Sequence, residues 1–174
     1  RKYNKSGALT WSSTFNDTTF YGNDIANNML IDISGNIYIV GKSTRTAGYD
    51  AILLKYDSNG NFVFKKVIYG IGDDEFTSIA TDPSGNIVCG CTAYAGAANG
   101  VDFLLNKYSN TSVPLWTSAF IYHSSASNND ILADIAVDPN NIIYATGETF
   151  YNNNKSQIYS IKLSSLGAII SSNY

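Results

Sequence analysis

Short apolar runs alternate with clusters of turn-forming residues along the whole chain. In one stretch, Ala26–Ile31, Ile37–Gly41, Asp50–Lys55 and Phe62–Ile68 are rich in Ile, Val, Leu and Phe. They are separated by Ser34-Gly35-Asn36, by Ser43–Tyr49 and by Asp57-Ser58-Asn59-Gly60. Runs of this length and composition read as strands, and the separators are turn chemistry. Nowhere does a longer stretch keep helical period between capping residues, so no helix is expected.

The pattern repeats. Lys2, Lys55, Lys107 and Lys162 are spaced by 53, 52 and 55 residues, and the first three begin Lys-Tyr. Nine positions after each stand Trp11, Phe64, Trp116 and, in the last copy, Ser171. A second set of landmarks keeps the same register: Asp24, Asp74 and Asp130 are each followed eight residues on by Asp32, Asp82 and Asp138, and then by Gly41, Cys91 and Gly147. Four short antiparallel strands per ~50 residues, repeated, is the signature of a β-propeller blade. The expected fold is all-β: a partial β-propeller of three four-stranded antiparallel blades plus an extra N-terminal strand. The expected boundaries within one propeller region, 1–174, are a blade remnant at 1–22 and blades at 23–73, 74–129 and 130–174. Closed propellers carry about 4–8 blades. The chain is therefore expected to form part of a longer propeller or to assemble as a homo-oligomer.

The motif Asp-x-x-Gly-Asn-Ile-Tyr followed by Gly, then Asp-Ala-x-x-x-Lys-Tyr-Asp-x-x-Gly, resembles the SBBP-type β-propeller repeat of bacterial, archaeal and viral surface or secreted proteins. The copy at 24–72 matches best. In the copy at 74–122 Ser112 replaces the turn glycine, and the copy at 130–174 has Asn140-Asn141 for Ser-Gly and Gln157 for Asp. The resemblance implies a scaffold with no cofactor, located outside the cell or on a cell or virion surface.

Composition narrows the function. Only 14 % of residues are charged and the net charge is −3, with two arginines. Nucleic-acid binding, which needs a basic face, is not expected. No apolar run is long enough for a membrane-spanning helix. Polarity comes from 20 Asn, 20 Ser and 13 Thr, and Tyr supplies 13 of the aromatics. Cys89 and Cys91 stand in Cys-Gly-Cys; on a strand their parallel Cβ vectors suit two packed thiols rather than a disulfide. With His123 the only histidine, a zinc site would lack ligands. No metal site is expected. Asp24, Asp74, Asp130, Asp50 and Asp102 recur at equivalent positions, which points to turn capping rather than catalysis.

Strand alternation places the first-to-second and third-to-fourth turns at one end of each sheet. The second-to-third loops (Ser43–Tyr49, Thr92–Val101, Glu148–Ser156) and the links Asn16–Asn23, Tyr69–Asp73 and Tyr122–Asn129 fall at the other. This variable end carries Tyr21, Tyr49, Tyr69, Tyr94, Tyr122, His123, Phe150 and Tyr151 among asparagines. Rigid aromatic area beside adaptable amides suits recognition. The expected function is a non-catalytic surface scaffold binding a glycan or a protein, with Tyr49, Tyr94, Tyr122, His123, Tyr151 and Asn153 as candidate contacts. The alternatives are a structural subunit of a surface layer, fibre or virion and, third, an enzyme whose site lies in further blades.

Overall fold

Turns set the frame. Asp32 Oδ1 accepts the amides of Ser34 and Asn36, both at 2.9 Å, and its Oδ2 accepts Asn36 Nδ2 at 2.8 Å. Asp57 and Asp82 repeat this network in full, and Asp138 repeats its backbone part with Asn140 and Ile142. A side chain that satisfies two amides fixes a tight reversal, and each reversal joins two strands.

The computed structural model describes residues 1–20, 22–96, 100–117, 129–151 and 155–173. Among them are fourteen strands and no helix. Where one extra N-terminal strand was expected, a hairpin of β1 (Lys2–Tyr3) and β2 (Leu9–Trp11) comes first, because the Asn4–Ala8 turn folds the segment back on itself. The first sheet is β3 (Asp24–Ile31), β4 (Ile37–Arg45), β5 (Gly48–Tyr56) and β6 (Phe62–Ile68). The second is β7 (Asp74–Thr81), β8 (Ile87–Gly96), β9 (Gly100–Tyr108) and β10 (Pro114–Thr117). The third is β11 (Asp130–Val137), β12 (Ile143–Tyr151), β13 (Lys155–Leu163) and β14 (Ile169–Asn173). Each is an antiparallel meander with its strands in sequence order.

The three sheets stack through their faces, β7 lying against β3, β4 and β5, and β11 against β7, β8 and β9. Tyr38, Val40, Ala51 and Leu53 of the first sheet meet Phe76, Ile79, Ile87, Cys89 and Cys91 of the second. Val88, Phe103 and Leu105 of the second meet Leu132, Ile135, Ile143 and Ile161 of the third. Each Val, Leu, Ile or Phe among them contributes about 1.5–3 kcal/mol on burial. Both cysteines are buried and unbridged, and burial raises their thiols above the usual range, keeping them neutral.

The repeated lysines and aromatics bind one sheet to the next. Lys55 Nζ donates to Asn110 O at 2.8 Å and Lys107 Nζ to Ser165 O at 3.2 Å. Trp116 Nε1 donates to the same Ser165 carbonyl at 3.0 Å. Lys2 and Trp11 treat Ser58 O in the same way, at 3.2 and 3.4 Å. The hairpin therefore sits on the first sheet as β9 and β10 sit on the third.

Three expected loops are largely strand. β4 and β5 run into Ser43–Tyr49 until Arg45 pairs with Gly48, leaving Thr46 and Ala47 as the turn. β8 and β9 likewise enter Thr92–Val101, and β12 and β13 enter Glu148–Ser156. Polar side chains there mask a continuing ladder: Thr44 reads as loop chemistry, yet its amide donates to Asn23 O at 2.9 Å.

Candidate functional site

At the end of the first sheet where β4 turns into β5, the link 16–20 folds over the strand ends. Arg45 holds it. The Arg45 guanidinium meets Asp17 Oδ2 at 2.8 Å and Asp50 Oδ2 at 3.6 Å, and all three side chains are buried. Lys65 Nζ reaches the same Asp17 oxygen at 2.8 Å. Arg45 also donates to Ser43 Oγ and Thr44 O, both at 2.9 Å, and lies 4.9 Å from the Phe20 ring centroid. Burial alone would raise the Asp17 carboxyl. The hydrogen bonds from Lys65 and Thr19 and the Arg45 charge outweigh it and hold the group well below the usual carboxylate range.

Among the described residues, three of the five recurrent aspartates at strand starts accept backbone amides, from links and neighbouring strands rather than from local turns. Asp24 Oδ2 accepts Asp17 N at 2.9 Å, Asp50 Oδ1 accepts Gly70 N at 3.3 Å, and Asp74 Oδ1 accepts Tyr94 N at 2.9 Å. Burial, with Asp50 and Asp73 nearby, raises Asp74 to about 6, against the Tyr94 amide. Burial and Asp130 raise Asp102 to about 6 as well. Among the described residues no three His, Cys, Asp or Glu side chains are grouped to hold a metal ion.

Between the first two sheets the link 69–73 forms an outward ridge. Tyr49 N donates to Asp73 Oδ1 at 2.9 Å on one flank. On the other, the Tyr94 ring closes over Gly72 so tightly that a Cβ there would stand 2.5 Å from Tyr94 Cδ1. Tyr69 and Ile71, 76 % and 72 % exposed, project from the ridge. Beside it Lys42 Nζ lies 5.0 Å from the Tyr49 ring centroid and pairs with Glu75 at 2.9 Å.

Of the expected contacts, Tyr49 and Tyr94 thus flank one ridge, with Tyr94 largely committed to packing. Tyr151 ends β12 opposite Lys155. Tyr122, His123 and Asn153 lie outside the described residues. No protein-family model matches the chain, and no curated protein matches it either.

Arg45 and Asp17 were not singled out by sequence reasoning. The one available signal is that Arg45 is one of only two arginines. Its pairing with a residue twenty-eight positions upstream depends on the link folding back, which no local pattern encodes. Asp17 and Asp50 face cations, Asp24 and Asp74 hold amides, and the groups left outward are a phenol, an aliphatic chain, an ammonium on an aromatic face and amides.

Proposed function

We propose that the three sheets are successive blades of a partial β-propeller of SBBP type, and that the chain is a non-catalytic scaffold outside the cell or on its surface. It binds a glycan or a protein partner through the end that carries the 69–73 ridge. The observation that carries this reading is the ridge itself: Tyr69 and Ile71 stand exposed on backbone held from both sides by Asp73 and Tyr94. An exposed aromatic on a rigid mount loses little entropy on binding. The ion-paired and amide-bonded carboxylates nearby support recognition over acid–base chemistry, which needs a carboxyl facing substrate. Low charge with abundant Asn, Ser, Thr and Tyr supports the extracellular setting.

A glycan array followed by titration of the best hits tests it. Binding by the wild-type chain that falls about tenfold in Tyr69→Ala and Tyr49→Ala is expected. Hits that bind both variants undiminished would overturn the assignment to this ridge. A second reading, a building block of a surface layer or fibre, is favoured by exposed apolar pairs on the outer strands, Phe62 and Val63 on β6 and Ile169 and Ile170 on β14. Ordered filaments or sheets in electron micrographs of the purified chain would support it.

A further inference from the structure

The front face of the first sheet, turned away from the second, is covered over only part of its width. The β1–β2 hairpin and Phe15 roof β5 and β6, where Trp11 and Phe15 pack on Ile52, Leu54 and Tyr56. Register allows a direct comparison of the rest. Ala26, Phe76 and Leu132 occupy one equivalent position, and Met29, Ile79 and Ile135 another. Phe76 and Leu132 are 0 % and 2 % exposed, and Ile79 and Ile135 are 9 % and 6 %. Met29 is 53 % exposed and its neighbour Ile31 62 %. A groove of about 390 Å³ runs along this strip, with Ala26, Met29, Ile31, Ile37 and Ile39 in its wall.

At the other two junctions the same strip is filled by the first hairpin of the preceding sheet. Leu30, Tyr38 and Val40, from β3 and β4, belong to the cluster that buries Phe76 and Ile79. Asn27 Nδ2 donates to Phe76 O at 3.0 Å, and Thr77 Oγ1 donates to Leu132 O at 3.4 Å. The carbonyl of Ala26 is the corresponding acceptor on the first sheet. Charge points the same way. Lys107 is buried and pairs at 2.8 Å with Asp82, the turn aspartate of its own sheet's first hairpin. Lys2 occupies the Lys107 position and already holds the Ser58 carbonyl. Yet it is exposed and, among the described residues, no ion pair includes it.

We propose that this strip binds an antiparallel strand pair of the repeat's own first-hairpin type, which adds to the edge of β1. The pair lays an apolar row on Ala26, Met29 and Ile31, brings an Asn or Thr side chain to the Ala26 carbonyl, and sets the carboxylate of an Asp-led turn on Lys2. The far side of the third sheet in a second copy does not match this description. There Thr146, Ser160 and Ser171 replace Val40 or Gly90, Leu53 or Leu105, and Phe64 or Trp116. Ala133 also stands, without a donor, at the position of Asn27 and Thr77. The occupant is thus a hairpin with the pattern of residues 24–45, supplied by a polypeptide other than a second copy of this chain.

The test is a titration of the full ¹⁵N-labelled chain with a synthetic peptide of residues 24–45, at millimolar concentration because an isolated hairpin is marginally stable. Amide shifts should move at Lys2, Tyr3, Ala26, Met29 and Ile31, and the Tyr3 amide should gain exchange protection. Lys2→Glu should weaken binding about tenfold or more, and a peptide carrying Asp32→Lys should restore it. Met29→Ser, at an exposed site that leaves folding intact, should also weaken it. Absence of shifts at those residues, or a charge reversal that restores nothing, would overturn the proposal. So would a concentration-dependent dimer of the chain alone that buries the same strip, since the strip would then be closed by a second copy.

Discussion

Ser112 occupies the turn position held by Gly60 and Gly167 in the other sheets, at φ +70° against +86° and +82°. A Cβ in the left-handed region costs about 1–2 kcal/mol, whereas glycine's extra freedom in the unfolded chain costs roughly 0.4–1 kcal/mol. Ser112→Gly should therefore stabilise the protein by about 0.5 kcal/mol, read as a higher urea midpoint at unchanged slope. Arg45 lies at the opposite extreme. Arg45→Ala removes the cation between Asp17 and Asp50, both buried, and should cost about 3 kcal/mol. Arg45→Lys should recover only part, because an ammonium lacks the fork that reaches Asp17, Ser43 and Asp50 together. Lys42→Ala is the control. Its pair with Glu75 is solvent-accessible, so the same denaturation series should register under about 1 kcal/mol.

Each sheet's first strand carries a bulge at the same place, between Ala26 and Asn28, Phe76 and Ser78, and Leu132 and Asp134. Opposite two of these bulges stand Gly41 and Gly147, where a Cβ would lie only 1.9 Å from Ile25 O or 2.2 Å from Ile131 O. Gly147→Ala should push the bulge carbonyl aside and cost about 1–3 kcal/mol, measured by chemical denaturation. If it is neutral, the third bulge is as pliable as the second, where Cys91 holds the position. The strands themselves and their repeat were legible because each rests on local composition repeated in register. The bulges were not, since an extra residue such as Asn27 or Thr77 only shifts the alternation by one, and eight-residue strands are too short for that phase change to stand out. Strand ends were lost for a related reason. Ser43, Thr44 and Arg45 look like loop, but Thr44 pairs with Asn23 and Arg45 turns inward to Asp17. Of the candidate site, the tyrosines were visible as a composition. Which of them is mounted outward depends on what Asp73 and Tyr94 do to the 69–73 link, and that is a tertiary property.

Across the whole molecule, carboxylates in two settings oppose one another as pH changes. At turns and in the Arg45 cluster, Asp17, Asp32, Asp57 and Asp82 titrate below their ordinary value of 3.8. For Asp17, Asp32 and Asp82 burial works the other way and is outweighed by hydrogen bonds and cations; for Asp57 the hydrogen bonds from Asn61 dominate and burial opposes them less. Their stabilisation is present above the unfolded value and is lost as pH falls through the native one. At the junctions between sheets, Asp74 and Asp102 titrate near 6, raised first by burial and then by Asp50 and Asp73 in one case and Asp130 in the other. A raised acid has the opposite sign: its contribution is full below 3.8 and is lost as pH rises through about 6. The melting temperature should therefore peak in mildly acidic solution, at about pH 4–5, and decline on both sides. Asp74→Asn keeps an acceptor for the Tyr94 amide and removes the charge beside Asp50, so together with Asp102→Asn it should raise the melting temperature at pH 7 and flatten the alkaline limb. The acid limb, set by the turn aspartates, should stay where it is. Calorimetric scans of the wild-type and double-variant chains from pH 3 to 8 decide it, and a wild-type curve that is flat across pH 4–7 would show that the junction carboxylates stay solvated.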